Sequence, residues 1–191
     1  MGKHVEYRPE WVREDFIDFL AEKVNPLWAW KKSKARIVAK HHLSDDFVHM
    51  QLQPNHHFKA TDYQAGQSIL VTVLIAGVRW QRSYSIVEIL ENGNLVIAVK
   101  QQGKVSNALT QQPVKSVVEI SQTQGEFVLK TQPHSALMIA SGSGITAIYA
   151  LIKAALKRPQ TVSNIDLIYF TRDDSFHAEL QQLTEHYPQF K

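Results

Sequence analysis

Cysteine is absent from this chain of 191 residues, and that absence removes several kinds of chemistry at once. Within the chain there can be no disulfide, iron–sulfur cluster, thiolate zinc site or cysteine nucleophile. With 44% hydrophobic and 20% charged residues, the composition is that of a folded globular protein rather than a disordered one. The length allows one domain or two small ones.

Long apolar runs are also missing, and so is a large excess of one charge. No stretch reaches the ~18 apolar residues that a membrane-spanning helix needs, and the chain does not begin with an apolar signal core. We therefore expect a cytoplasmic protein. The 21 Lys and Arg against 18 Asp and Glu give a net charge of +3, which is too small to indicate a nucleic acid partner but suits an anionic small ligand.

The first segment predicts a helix followed by two tryptophans. Residues 9–24 have apolar side chains at helical spacing, and Pro9 suits the first turn of a helix. Trp28 and Trp30 come directly after it. They either pack this helix onto the rest of the chain or form an exposed docking patch for a partner or a membrane surface.

Short strands rich in Val, Ile and Leu then replace the helical pattern, with turn residues between them. The candidates are 34–41, 47–53, 68–76, 80–88, 94–101 and 116–121. A short helix over 105–111 precedes the last of them. Six short strands at this spacing predict a closed antiparallel barrel of the Greek-key type.

After about residue 131 the pattern changes to alternating strands and helices. A buried strand over 135–140 leads through a glycine turn to a helix over 145–157, and a strand over 165–170 precedes a helix over 175–186. This order is typical of the opening of a doubly wound α/β sheet, although two parallel strands cannot bury both faces well. We thus predict three segments: a helical extension over 1–33, a barrel over 34–131, and a partial α/β domain over 132–191.

The first candidate binding motif is Arg82-Ser83-Tyr84-Ser85 on a predicted strand. Alternation sends Arg82 and Tyr84 to one face and the two serines to the other, unless the strand bends. A guanidinium can fork to phosphate oxygens while a neighbouring ring stacks on a flat ligand. The alternative is a cation–aromatic pair on the surface.

Two further motifs place glycine between a strand and a helix. The segment Gly103 to Asn107 offers N-cap residues and amides where an anion binds well, or simply a capped helix. The segment Ser141 to Thr146 places Gly142 and Gly144 where a pyrophosphate-binding turn would lie, or a turn that serves only packing.

Arg172 follows the second α/β strand, where the adenosine ribose lies in doubly wound folds. A basic residue there favours a 2′-phosphate, and therefore NADPH over NADH, whereas the adjacent Asp173 and Asp174 favour a free hydroxyl. The histidine pairs at 41–42 and 56–57 lack the spacing of a metal site and indicate solvated side chains instead.

Taken in order, these motifs resemble the ferredoxin–NADP reductase superfamily from about residue 34 onward. Gly66-Gln67 before a strand, Gly125-Glu126-Phe127 at the end of the barrel, and Phe176 with Glu179-Leu180 near the last helix add to the resemblance. The N-terminal helix with its tryptophans is similar to a narrower branch. In that branch the flavin reductase carries a C-terminal plant-type ferredoxin module and supplies electrons to a membrane fatty acyl desaturase.

The resemblance implies roles for individual residues. Arg82 would hold the FAD pyrophosphate, Tyr84 would stack on the isoalloxazine, and Ser85 would act at the flavin atom that accepts hydride, with Ser83 part of the same binding strand. The FAD diphosphate would meet the turn of Gly103, Val105, Ser106 and Asn107. The nicotinamide nucleotide would meet Gly142, Gly144, Ile145 and Thr146, with Thr146 beside the nicotinamide and Arg172 beside the 2′-phosphate.

The implied function is an FAD-dependent oxidoreductase that passes electrons from NADPH to ferredoxin or flavodoxin, in the branch that serves a desaturase at the inner membrane face. Ala147 stands where the family usually has proline, and Ile86-Val87-Glu88 where it often has small residues. Measured against the family, the nucleotide-binding domain stops about halfway, before a Cys-Gly element. The alternatives are a flavin-binding or interaction module without NADPH turnover, and a reductase of free flavin.

Overall fold

The structure, a computed structural model, describes residues 17–18, 20, 23–129, 134–157 and 163–191. Of the helix predicted over 9–24, the residues up to 16, together with 19, 21 and 22, lie outside the described residues, and the others are helical. No helix of this described part is long and apolar enough to cross a membrane.

Six antiparallel strands form a closed barrel, as the spacing of short apolar runs predicts. Their spatial order is β1-β2-β5-β4-β3-β6. The strands are β1 (Lys34–His42), β2 (Phe47–Pro54), β3 (Ser68–Ile75), β4 (Val78–Ile89), β5 (Leu95–Lys100) and β6 (Val117–Ile120), and helix α1 (Lys104–Gln111) lies between β5 and β6.

An α/β region follows the barrel and confirms the predicted alternation. It consists of β7 (Ser135–Ser141), α2 (Ile145–Leu156), β8 (Asn164–Phe170) and α3 (His177–His186). The two strands are parallel and form a sheet of their own. One face of this sheet packs on α2, whereas the other exposes four large apolar side chains: Leu137, Ile139, Ile168 and Phe170.

Successive side chains along the barrel strands point to opposite faces and pack in two hydrophobic cores. Val48, Ile86 and Ile97 point into the barrel, whereas their neighbours Phe47, Val87 and Ala98 point outward and join α2 and the α/β sheet in a second core. Because one strand surface serves each core, the barrel and α2 share a continuous apolar contact.

β4 and β5 pair along only part of their length. Ile86 to Ile89 pairs with β5, with a bulge between Ile86 and Glu88, whereas Val78 to Ser85 pairs with β3 on its other side. On its other side, β5 pairs with β2 along its whole length, from Leu95 to Lys100. β4 and β5 therefore diverge, and their facing edges leave an opening in the barrel wall.

α1 sits at this opening and is fixed at its C-terminal end. The Lys40 ammonium on β1 donates to the carbonyl oxygens of Thr110, at 2.6 Å, and Gln112. Carbonyls at a helix end have no partner within the helix, so this lysine satisfies two of them. Burial lowers the pKa of Lys40.

Gly66 lies where the barrel, the segment after β6 and α2 meet. Its φ of +94° is in the left-handed region, and a Cβ there would lie 2.0 Å from the carbonyl oxygen of Phe127 and 3.0 Å from Leu151 of α2. Gly77, in the β3–β4 turn, has a φ of +76° but nothing within 4 Å of such a Cβ.

We predict that Gly66→Ala lowers the free energy of unfolding by at least about 3 kcal/mol, since backbone strain and a backbone clash add. Gly77→Ala pays only the strain, about 1 kcal/mol. Urea unfolding of the two variants beside the parent measures both values. Equal losses would mean that the close approach at Gly66 is unimportant.

Candidate functional site

The opening between β4 and β5 forms a cavity of about 480 Å³, within the range of small-molecule sites. The part of β4 that is not paired with β5, the end of β5, the start of α1 and the start of α2 all contribute to its walls. The lining residues are Trp80, Arg82, Ser83, Tyr84, Ser85, Ala98, Lys100, Gln102, Gly103, Lys104, Val105, Ser106, Ser143, Gly144 and Thr146.

Nine of the thirteen residues singled out in the sequence line this one cavity: Arg82, Ser83, Tyr84, Ser85, Gly103, Val105, Ser106, Gly144 and Thr146. The other four lie elsewhere. Asn107 is exposed on α1, Ile145 is fully buried beneath the start of α2, and Gly142 and Arg172 line a neighbouring cavity.

All four residues of the Arg82–Ser85 segment reach the cavity, although strict alternation assigns them to two faces. The reason is the divergence of β4 from β5, because a free strand edge is accessible from both of its faces. Tyr84 packs on the barrel core, and on the other face the Ser83 hydroxyl donates to Ser68 at 2.8 Å.

Two buried polar atoms in the cavity wall have no partner within the described residues. They are the Tyr84 hydroxyl and the Trp80 indole nitrogen, and His49 carries the third such atom. Burial raises the pKa of Tyr84 to about 12, against a lowering effect of Arg82. Since a buried polar group without a hydrogen bond is costly, these two atoms fit a ligand that supplies polar partners.

The start of α1 offers backbone amides to the cavity. The Ser106 hydroxyl donates to the carbonyl of Gly103 at 3.0 Å and accepts from its amide at 3.1 Å, so the chain itself uses this hydroxyl. The Asn107 amide likewise donates to Gly103, at 2.9 Å. The first-turn amides of residues 104–106 come before the first helical hydrogen bond and point out of the helix end.

Two cations line the same cavity as these amides. The Lys104 ammonium lies 4.5 Å from the centre of the Trp80 ring, and the exposed Arg82 guanidinium donates to the neighbouring carbonyl of Gln81 at 2.8 Å. A helix N-terminus and nearby cations together favour an anionic ligand such as a phosphate.

α2 supplies the opposite wall through its glycine turn. The Thr146 hydroxyl donates to the Ser143 carbonyl at 2.9 Å, which fixes the side chain at the first turn of α2. Gly142 has a φ of +50° and accepts a hydrogen bond from the Tyr169 hydroxyl at 3.3 Å. Backbone and a small hydroxyl therefore face the side chains of β4.

A second cavity, of about 390 Å³, lies beside the ends of β7 and β8 and is lined by Lys100, Ser141, Gly142, Phe170, Thr171 and Arg172. Lys100 lines both cavities. Its ammonium lies 3.0 Å from the Asp173 carboxylate and 3.3 Å from that of Asp46. Sequence reasoning missed Lys100, and its only signal was a single cation at the end of an apolar strand.

Asp173 turns inward from the second cavity. Its carboxylate accepts hydrogen bonds from the Ser175 hydroxyl and amide, from Lys100, and from Thr171 at 3.2 Å. The hydrogen bond from Ser175, followed by Lys100, outweighs burial and holds the pKa of Asp173 well below its usual range. Its negative charge is thus compensated within the chain, whereas Arg172 is exposed.

Comparison with known proteins agrees with this geometry. Residues 34–129 match the family model described as the oxidoreductase FAD-binding domain. An NADPH oxidoreductase of Mycobacterium tuberculosis is 30% identical over 179 residues, which cover 87% of this chain and 46% of that protein. The chain spans less than half the length of the first curated relatives that it matches, at 44% and 46%.

Solved structures share the fold. The FAD- and heme-bound flavohemoglobin of Malassezia yamatoensis superposes with a TM-score of 0.75 at 19% identity, over 84% of this chain and 44% of that one. A ferredoxin–NADP⁺ reductase of Plasmodium falciparum gives 0.69 at 22% identity, over 83% of this chain and 69% of that one. The barrel followed by an α/β region is common to all of them.

The unpartnered hydroxyl gives a prediction for the ligand-free chain. We expect Tyr84→Phe to leave the free energy of unfolding unchanged or to raise it by about 1 kcal/mol, because it removes a buried group that lacks a hydrogen bond. Tyr63→Phe is the matched control. Tyr63 is also half-buried against the barrel core, but its hydroxyl donates to the Ile86 carbonyl at 2.9 Å, so its loss should cost about 1 kcal/mol. Denaturant unfolding measures both, and a loss at Tyr84 as large as at Tyr63 would show that the chain itself satisfies this hydroxyl.

Proposed function

Because this chain belongs to the oxidoreductase FAD-binding domain family, within the ferredoxin–NADP reductase superfamily, we propose that it holds FAD between β4 and β5 and reduces it with NADPH. The observation that carries the proposal is the cavity itself. It joins an arginine, a tyrosine whose hydroxyl has no partner in the described part of the chain, and the amides of a helix start in one place.

The cavity residues fit FAD in both charge and shape. The Arg82 guanidinium and the first-turn amides of α1 would hold the diphosphate, and the Tyr84 ring would lie against the flat isoalloxazine. Ser106 would contribute by fixing Gly103 rather than through its hydroxyl, since that hydroxyl is already engaged. Bound FAD supplies the chemistry, as it accepts a hydride and can release electrons singly.

The remaining residues would position the nicotinamide. Ser85 on β4 and Thr146 on α2 line the same cavity from the barrel and from the α/β region, so the space between them is where two ring systems would meet. The Gly142–Gly144 turn would hold the nucleotide phosphates through backbone amides. No side chain needs to move a proton, so these groups act by orientation and by excluding water.

The preference for NADPH rests on the two neighbours Arg172 and Asp173. Asp173 is engaged with Lys100 and Ser175, so it is not turned toward a ribose hydroxyl. Arg172 lines the second cavity and would pair with a 2′-phosphate. Asp174 is exposed beside Arg172 and is the remaining acid of the pair, so the preference for NADPH is supported by Arg172 and by the engagement of Asp173.

The proposal extends to the electron acceptor and the location. The N-terminal helix with Trp28 and Trp30 supports the branch in which ferredoxin or flavodoxin receives the electrons for a fatty acyl desaturase, and so a cytoplasmic location at the inner membrane face.

The first experiment is an absorbance spectrum of the purified chain, where a flavin band near ~450 nm is expected. Anaerobic NADPH should bleach that band. A chain that stays colourless with added FAD would refute the proposal, and bound flavin that NADPH does not bleach would leave a binding module.

Arg82→Ala should weaken FAD binding roughly 10- to 100-fold, since one charge-assisted phosphate contact is worth about 1.5–3 kcal/mol. Fluorescence titration of the flavin-free protein measures the dissociation constant. Arg79→Ala is the matched control, because Arg79 lies on the same strand but pairs with Glu119 at 2.7 Å and is not among the cavity residues. Equal effects of the two variants would refute the role of Arg82.

Arg172→Ala should raise the Michaelis constant for NADPH by at least about tenfold and leave that for NADH almost unchanged. Steady-state reduction of an artificial acceptor with each nucleotide measures the two constants. A parallel rise for both nucleotides would mean that Arg172 contacts a shared part of them, and the assignment to the 2′-phosphate would fall.

A further inference from the structure

Two tryptophans are held at the surface by the segment between the N-terminal helix and β1. We call residues 25–32 the tryptophan loop. Trp28 is 54% and Trp30 50% exposed, and the preceding Val24 is 74% exposed. Large apolar side chains grouped at a surface and bordered by polar residues indicate an interaction site.

The backbone of this loop is fastened to the barrel, so the exposure of its side chains is not the result of a loose end. The Lys34 ammonium donates to the carbonyls of Pro26 and Trp28, the latter at 3.1 Å. The side-chain amide of Asn55 donates to the backbone carbonyls of Leu27 and Lys32, at 3.2 and 3.0 Å.

Two more contacts complete the attachment. The His57 ring pairs with the carbonyl of Ala29 at 2.9 Å, and the Trp30 amide donates to the buried Asp18 carboxylate at 2.7 Å. The barrel therefore presents both indoles outward in a fixed backbone conformation. An arrangement of this kind lowers the entropy lost when the indoles bind.

The sequence of the loop and of the strand after it is rich in basic residues. From Lys23 to Ser44 the sequence has six Lys and Arg residues and no acidic residue, although the whole chain has a net charge of only +3. Lys23 and Lys31 are exposed, and the buried Asp18 pairs with Lys32 at 3.2 Å. Glu22 directly precedes this stretch of the sequence, and Asp45 directly follows it. The loop therefore lies in a stretch of the sequence with an excess of basic residues.

We propose that the tryptophan loop docks the protein on an anionic lipid bilayer. Indole rings locate at the boundary between headgroups and acyl chains, and lysines beside them are attracted to anionic lipids. The loop joins these two features on a rigid support. The proposal does not depend on the bound cofactor, because no residue of the loop lines the cavity between β4 and β5.

A lipid surface fits the tryptophan loop better than an acidic electron-carrier protein does, because of where the loop lies. A carrier that exchanges electrons must approach the cofactor, and the loop is not part of that cavity. Anchoring makes no such demand on distance. Apolar exposure beside cations is also the pattern of interfacial membrane segments.

The test is flotation of the purified chain with vesicles of phosphatidylcholine alone and of phosphatidylcholine with phosphatidylglycerol in a 7:3 ratio. We expect binding to the anionic vesicles, weaker at high salt, with a blue shift of tryptophan fluorescence and its quenching by brominated acyl chains. Trp28→Ala with Trp30→Ala should reduce partitioning by roughly tenfold or more. Lys31→Gln alone should reduce it roughly fivefold.

The matched controls are Leu137→Ala, an equally exposed apolar residue on β7, and Lys59→Gln, an exposed lysine outside the loop. Both should bind as the parent does. Flavin absorbance of the same samples shows separately whether the cofactor site is intact. The proposal is overturned if the chain binds neither vesicle, if it binds both equally, or if the double variant, shown to be folded by its unfolding curve, binds unchanged. It is also overturned if the double variant binds vesicles as the parent does but no longer co-purifies with an acidic protein that the parent retains.

Discussion

The packing of Phe176 joins the barrel to the α/β region, and the candidate site depends on that junction. Phe176 is fully buried although its φ of 64° is left-handed, a conformation that costs an ordinary residue about 1–2 kcal/mol. Three edge-on ring contacts offset this cost: Phe47 and His49 on β2, at 5.7 and 5.5 Å, and Tyr149 on α2, at 5.3 Å. Burial, followed by the charge of His41, lowers the pKa of His49 to about 4, so its ring is neutral in this cluster at physiological pH. Because β2 and α2 both pack on Phe176, this residue holds α2, which forms one wall of the cavity, against the barrel.

Ion pairs reinforce the same junction and decide which cations are available to a ligand. On one side Glu88 of the barrel pairs with Lys153 and Lys157 of the α/β region. Burial opposes ionisation of this carboxyl, but the hydrogen bond and charge of Lys153 prevail and lower its pKa. On the other side Lys100 is compensated by Asp46 and Asp173. Within the described residues Arg82 has only a carbonyl contact and Lys104 only a ring contact, so the charge of these two cations in the cavity wall is left for an anion.

The sequence predicts the features that depend on neighbouring residues. All six barrel strands, the α/β alternation and nine of the candidate site residues follow from periodicity of two, glycine turns and motif order. What depends on distant residues was not predictable. The divergence of β4 from β5 is a matter of pairing register, and it alone explains why both faces of residues 82–85 reach one cavity. The pairing of Lys100 with Asp173 joins residues 73 positions apart. The Asn107 amide was expected to meet a phosphate, but the helix that begins at Lys104 uses it for its first hydrogen bond.

Two parts of the surface are incomplete in opposite senses, and this difference indicates two different partners. In the cavity, buried polar atoms of Tyr84 and Trp80 have no hydrogen-bond partner within the described residues. A ligand that offers polar partners would remove the cost of burying them. At the tryptophan loop, two indoles are exposed although four side chains of the surrounding structure bind the backbone that carries them. A polar, anionic molecule completes the first. The second requires a partner that offers apolar depth and negative charge together, and a small soluble anion has no apolar depth to offer. Basic residues therefore contribute both at the cavity and at the tryptophan loop. Which partner binds at each place depends on the groups exposed there: polar atoms in the cavity and indole rings at the loop.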